Sequence, residues 1–144
     1  MILPDVNVLV YAFREGAENH REYTDWLTDL LSGADELALV DAVLAGFVRI
    51  VTHPRISQPP ASTSLALDFV ADLRKARRAV WLPPTTAVWE QFAELSRRDR
   101  AIGGNLVPDA YLAATAIVHG AEIATADRGF ARFPGLRWFD PMAG

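Results

Sequence analysis

Pro108-Asp109-Ala110-Tyr111-Leu112-Ala113-Ala114-Thr115-Ala116-Ile117-Val118-His119-Gly120, followed by Ala121-Glu122-Ile123-Ala124-Thr125-Ala126-Asp127, is the stretch that decides the fold. Proline suits the first turn of a helix, where its missing N–H costs nothing, and glycine suits the position just past a helix end. A helix from Pro108 to His119, closed by Gly120, is therefore expected. Its small residues Ala110, Ala113, Ala114 and Ala116 allow close approach to a sheet. The apolar run from Glu122 to Thr125 reads as a strand. A close-packing helix followed directly by a short strand is a unit of an α/β fold.

Outward from there the same alternation recurs. Ile2-Leu3-Pro4 reads as a short buried strand, with Pro4 tolerable only at its last position, since proline cannot donate to a sheet ladder. Val6 to Phe13 follows as a short helix or turn. Tyr23, Trp26, Leu27, Leu30 and Leu31 fall on one helical face, ended by Gly33. Leu37–Val40 is a second strand, and Asp41 is placed to cap a helix through Val51. His53 to Ser62, with three prolines, reads as a loop. Ser62 can cap a helix whose inner stripe is Ala66, Phe69, Val70 and Leu73. Ala79–Leu82 is a strand, Thr86–Arg98 a helix with Val88, Phe92 and Leu95 inward, and Leu136–Trp138 a last strand. The expectation is one domain over residues 1–144, built as three α/β/α layers around a central, mostly parallel sheet.

The 144 residues suffice for a core of their own, half of them being hydrophobic. There is no cysteine, which excludes disulfides and thiolate metal sites. Nothing resembles a signal peptide or a bilayer-spanning run, so no membrane association and a cytoplasmic location are expected. The net charge of −4 weighs mildly against a nucleic-acid binder, although Arg74, Lys75, Arg77 and Arg78 form one basic cluster and Arg97, Arg98 and Arg100 another. Either cluster alone reads as a solvated helix end.

In parallel α/β folds ligands bind beyond the carboxyl ends of the strands, near the point where strand order reverses. That rule sorts the carboxylates. Asp5 follows the first strand, Asp127 follows the Glu122–Thr125 strand, and Asp109 stands in the first turn of its helix. Three aspartates at one edge repel one another unless a cation holds them, and Mg²⁺ takes carboxylate, water and phosphate oxygens. The chemistry this suggests is metal-assisted phosphodiester hydrolysis. Each residue also has a structural reading: Asp5 as a helix cap, Asp109 as a favourable first-turn acid, and Asp127 as a turn former in Asp127-Arg128-Gly129.

These segments also resemble a family. Ile2-Leu3-Pro4-Asp5-Val6-Asn7-Val8-Leu9 is similar to the opening segment of PIN-domain nucleases. Asn105 to Ala114 resembles their central acidic helix, and Ala124-Thr125-Ala126-Asp127-Arg128-Gly129-Phe130 their final segment. Gly46-Phe47-Val48-Arg49-Ile50-Val51-Thr52 and the chain length resemble the VapC branch, the toxins of bacterial toxin–antitoxin pairs. The resemblance implies a Mg²⁺- or Mn²⁺-dependent endoribonuclease that arrests translation and growth. Asp5 and Asp109 would be its metal ligands, Asp127 a further acid, Asn7 an aid to orienting Asp5, and Thr125 a contact to metal-bound water or phosphate. It further implies an RNA substrate, a VapB-like antitoxin partner and a homodimer, with Tyr23, Trp26 and the Phe47–Ile50 helix as a possible apolar wall for the antitoxin. One position departs from the pattern: Gly46 stands where PIN nucleases usually carry a glutamate. Asp41, at the start of the same helix, could supply the missing charge, or could only cap the helix. The departure also leaves open a catalytically impaired PIN domain that binds antitoxin or RNA without cutting.

Other chemistries fit less well. A metal-free acid–base ribonuclease wants two apposed histidines, and nothing pairs His20, His53 and His119. A phosphotransfer receiver domain wants a lysine near the last strands, and Lys75 is elsewhere. A haloacid-dehalogenase phosphatase wants an aspartate where Asn7 stands.

Overall fold

The computed structural model describes residues 1–143. Five short strands, β1 (Ile2–Pro4), β2 (Leu37–Leu39), β3 (Ala79–Trp81), β4 (Glu122–Ala124) and β5 (Arg137–Phe139), form one sheet in the order β3-β2-β1-β4-β5. Every ladder is parallel. Six α-helices complete the layers: α1 (Val6–Phe13), α2 (His20–Ser32), α3 (Asp41–Thr52), α4 (Thr63–Arg74), α5 (Thr86–Arg98) and α6 (Val107–His119). α1 packs against α2 and α3, and α3 against α4; α5 and α6 pack on each other and α6 on β4. The chain moves outward from β1 to β3 and then crosses back to β4. Right-handed crossovers therefore place the helices before and after that reversal on opposite faces.

The expected elements are present, with ends shifted by a residue or so. Val6–Phe13 is a true helix. Ser62 caps α4 by accepting a hydrogen bond from Leu65 N at 3.1 Å. Pro108 falls in the first turn of α6, one residue inside its start at Val107. Asp41 differs from expectation: the cap of α3 is Val40, in extended conformation and without a side-chain hydrogen bond, and Asp41 is already the first helical residue. Two short 3-10 turns, Gly104–Leu106 and Arg128–Arg132, lay outside the sequence reading.

β1 is the central strand, and Pro4 ends it. Ile2 N bonds Glu36 O on the β2 side, whereas Asp5 N bonds Ala124 O on the β4 side. Donors alternate sides along a parallel strand, so Pro4 occupies the position whose N–H would next have reached β2. The β1–β2 register is accordingly recorded only at Ile2↔Leu37, while β1–β4 runs through Ile2↔Glu122, Leu3↔Ile123 and Pro4↔Ala124. The β1–β2 ladder is thus shorter than the β1–β4 ladder.

The core fills both faces. Phe13, Phe47 and Phe69 form an aromatic cluster joining α1, α3 and α4, with centroids 5.0 to 5.3 Å apart. On the other face Ala110, Ala113, Ala114 and Ala116 are fully buried, which is the close helix–sheet approach that their size permits. Gly120 then turns the chain from α6 into β4 at φ 70°.

Gly120→Ala should lower stability by about 1 kcal/mol, because an L-residue is strained in the left-handed region. A Cβ there would meet no atom within 4 Å, so the cost is conformational alone. Thermal unfolding should show a fall of a few degrees, and Gly120→Asn, better suited to this position, a smaller one.

Candidate active site

Because β1 and β4 are adjacent and in register, the residues just past their ends face each other. Asp5 stands at the end of β1, and Thr125 and Asp127 follow β4. This is the place where strand order reverses. α6 starts at the same edge and brings Asp109 to it.

Asp5 is buried, 8% exposed, and both carboxylate oxygens are engaged. Oδ1 accepts from Val6 N at 2.6 Å, and Oδ2 accepts from the Thr125 hydroxyl at 2.8 Å. Asp5 is therefore both the cap of α1 and a fixed acid of the site; its two readings are satisfied by different oxygens. Thr125 is wholly buried. Its hydroxyl donates to Asp5 and accepts from Asp127 N at 3.0 Å, so it stands behind the acids and ties β4 to them rather than facing open solvent. Burial pushes the Asp5 carboxyl above its ordinary value; the bonds from Thr125 and Val6 pull it back, and the charge of Asp127 adds to the rise.

Asp109 shares a cavity of about 80 Å³ with Asp5, walled by Val6, Val43, Tyr111 and Leu112. Its carboxyl is pushed up to about 6, first by burial and then by the charges of Asp5 and Asp127. Asp5 has two donors and Asp109 is given none by the described residues, so Asp109 is the acid that takes a proton when no cation is present.

Asp127 is exposed, and its Oδ1 accepts from Gly129 N at 2.8 Å, capping the Arg128–Arg132 turn. It acts on the other two acids through its charge. Asn7 is exposed and forms no hydrogen bond to Asp5; Val6 and Thr125 orient that carboxylate instead. Asp41 is not brought to the acids. It lies on the rim of a neighbouring cavity with Leu82, Pro83 and Pro84. Gly46 faces α1: a Cβ built on it would lie 3.3 Å from Cγ2 of Val6, the first residue of that helix, so the Val6 side chain crowds the room that a side chain here would need.

Among the described residues no three His, Asp or Glu side chains form a ready cage for a metal ion. Two carboxylates in one small cavity, one of them given no donor by the described residues and pushed up by burial and by its neighbours' charges, do fit a hard divalent cation that completes its shell with water and phosphate. Asp5 and Asp109 are the residues that would hold it.

The second basic cluster lies toward this edge. Arg132 pairs with Asp99 at 2.9 Å, bringing the end of α5 to the turn that follows Asp127. Arg97 and Arg98 are bound to Glu94, whereas exposed Arg100 and Arg128 form no ion pair among the described residues. The first cluster, Arg74 to Arg78, precedes β3 and so belongs to the opposite edge, with Arg74 over the Trp81 ring. Tyr23 and Phe47, considered as an apolar docking wall, are buried core residues, while Trp26 packs against Phe139 at 6.2 Å.

Asp109→Asn should stabilise the metal-free protein at neutral pH. The folded carboxyl titrates near 6 against 3.8 in the unfolded chain, so the folded state binds more protons between these values and stability falls as pH rises through the window. The gain from the substitution should be full above about pH 6 and absent below the unfolded value. Melting temperatures of parent and variant at pH 7.5 and 4 test this; no difference at pH 7.5 would remove the repulsion argument. Thr125→Val should cost about 1–3 kcal/mol by leaving Asp5 Oδ2 and Asp127 N without their partner, and Thr125→Ser should restore most of it.

The sequence profile of the PIN domain matches residues 2–136. Ribonuclease VapC43 of Mycobacterium tuberculosis is 42% identical over 144 residues, covering 100% of this chain and 97% of the relative. Ribonuclease VapC37 of the same organism is 38% identical, covering 99% of each. Among solved structures, VapBC2 from Rickettsia felis, bound to a DNA fragment from its promoter, superposes with a TM-score of 0.69 at 20% identity, covering 97% of this chain and 98% of that one. VapC20 of Mycobacterium tuberculosis, described as a sarcin–ricin loop cleaving toxin, superposes with a TM-score of 0.66 at 18% identity, covering 95% and 99%. The two solved structures share the three-layer fold, and by its profile and its full-length identities this chain belongs to the PIN-domain family, on the branch of the VapC ribonucleases.

Proposed function

We propose that this protein is a Mg²⁺- or Mn²⁺-dependent endoribonuclease, the cytoplasmic toxin of a VapBC-type pair, which inhibits translation and growth by hydrolysing RNA. The observation that carries this reading is the shared cavity of Asp5 and Asp109 at the point of strand-order reversal, with Asp5 locked by two hydrogen bonds and Asp109 left without a donor. A divalent cation bound there would supply Lewis acidity at the phosphodiester and a water acidic enough to attack it at neutral pH. The chain's own residues do the rest. Val6 and Thr125 hold Asp5 in one orientation. Asp109 gives up its proton as a cation enters. Asp127 adds negative charge from the turn above, and Arg100 and Arg128 draw the RNA backbone toward an otherwise acidic edge.

A VapB-like antitoxin is the proposed protein partner. A groove of about 510 Å³ between α1 and α4, lined by Phe13, Arg14, Pro59, Pro60 and Leu65, offers apolar surface for it, and Leu65 and Leu67 are more than half exposed. A homodimer remains part of the proposal. No helix among the described residues is long and apolar enough to cross a membrane.

Asp5→Asn and Asp109→Asn should each lower RNA cleavage at least 10²-fold, an effect of the size seen for losing a group that acts at the reacting centre, while circular dichroism stays unchanged. Chelator should abolish cleavage by the parent, and added Mg²⁺ should raise the melting temperature of the parent but not of Asp109→Asn. Full cleavage by either variant would sink the two-carboxylate site. A parent protein that binds antitoxin yet leaves total RNA intact in Mg²⁺ would instead identify a binding module, the reading that Gly46 favours.

A further inference from the structure

Beside the carboxylate cavity lies a second one of about 150 Å³, lined by Leu82, Pro83, Pro84, Tyr111 and Thr115 with Asp41 at its rim. Val40, Ala42 and Tyr111 line both cavities, so the Tyr111 side chain stands between the two. Its ring is braced by Trp89 and Phe92, with centroids 5.2 and 5.9 Å away, and Trp89 is 59% exposed. Pro83 is fixed in turn, since its carbonyl oxygen lies 3.2 Å from the His119 ring nitrogen Nε2. The cavity is therefore apolar, has an aromatic wall and carries one carboxylate, Asp41, which makes no recorded hydrogen bond and does not reach the other acids.

We infer that this cavity holds one unpaired nucleobase of the RNA substrate against Tyr111, and that Asp41 selects bases whose edge presents an exocyclic amino group. This rests on the nuclease reading above and names how that site chooses its substrate. Three features restrict the occupant. It must be flat enough to lie in an apolar, aromatic-walled slot; it must donate a hydrogen bond, because a carboxylate only accepts; and it must be joined to a group that reaches Asp5 and Asp109 across the shared wall. A base attached to the scissile phosphodiester meets all three. Stacking on an aromatic ring accepts any base, whereas an acceptor at the rim distinguishes cytosine, adenine and guanine, which carry an amino donor, from uracil, which shows only oxygen acceptors beside its ring N–H. Asp41 is thus a specificity-determining residue and lies outside the metal site.

Two measurements test this. Calorimetry with cytidine and uridine 5′-monophosphates should show the parent preferring the cytidine nucleotide about tenfold, the contribution of one hydrogen bond to a charged group. Asp41→Asn, which can both donate and accept, should level that preference. Cleavage of a randomised RNA should show a bias against uridine at one position beside the cut, levelled in Asp41→Asn, and Tyr111→Phe should keep the bias. If the parent cleaves nothing yet binds the cytidine nucleotide preferentially through Asp41, the nuclease reading falls and the base pocket stands. Equal binding of both nucleotides, together with an unchanged cleavage bias in Asp41→Asn, overturns the pocket. So does a Tyr111→Ala variant that turns a dimer into a monomer while the parent binds nucleotides without preference, since a second copy would then be what covers this face.

Discussion

A carboxylate buried at the end of the central strand is the constraint around which this molecule is arranged. Burying an ionised group without partners is costly, and Asp5 is nearly inaccessible. Two donors meet it there: the first N–H of α1 and the hydroxyl of Thr125. The second donor exists only if β1 and β4 pair in the observed register, since a slip of one residue would turn the Thr125 side chain to the other face. The same hydroxyl accepts from Asp127 N and so sets the start of the following turn. One buried threonine thereby couples the sheet register, the orientation of Asp5 and the placement of Asp127.

Asp109 completes the arrangement in the opposite manner. It comes from a helix whose alanines let it lie close to the sheet, and it enters the cavity with no donor of its own. The result is two acids of unequal character: one buried and fixed by two hydrogen bonds, the other titrating near 6 because burial and its neighbours' charges oppose ionisation. Such a pair fits a divalent cation. Its mutual repulsion is a cost in the free protein that positive charge would relieve.

Much of this was legible in the chain. Each strand is a short apolar run ended by a polar or turn residue, and Asp5 and Asp127 could be placed at one edge because each directly follows such a run. Gly120 and Ser62 marked helix ends through their own backbone and capping chemistry. What the sequence could not convey was contact between distant segments. The Thr125–Asp5 bond spans 120 positions and depends on register, so Thr125 was expected against a phosphate or water. Asn7, two residues beyond Asp5, was expected to orient it, but α1 begins at Val6 and the helix carries Asn7 outward to solvent. Asp41 was expected either to cap α3 or to join the acids. It does neither, because the cap is Val40 and the first helical turn directs Asp41 to the adjoining cavity. Tyr23 and Phe47 lie on helical stripes that are buried, and periodicity alone does not tell a core stripe from a docking face.

Gly46 lies against the same packing. A Cβ there would stand 3.3 Å from Val6 Cγ2, so the β-branched side chain of Val6, whose backbone N–H donates to Asp5, would have to give by a few tenths of an ångström. The glycine leaves that contact relaxed and supplies no acid from this position. Pro4, on the other side of Asp5, has no N–H to offer β2, so the β1–β2 ladder ends there while the β1–β4 ladder, on which the Thr125–Asp5 bond depends, runs through Pro4↔Ala124.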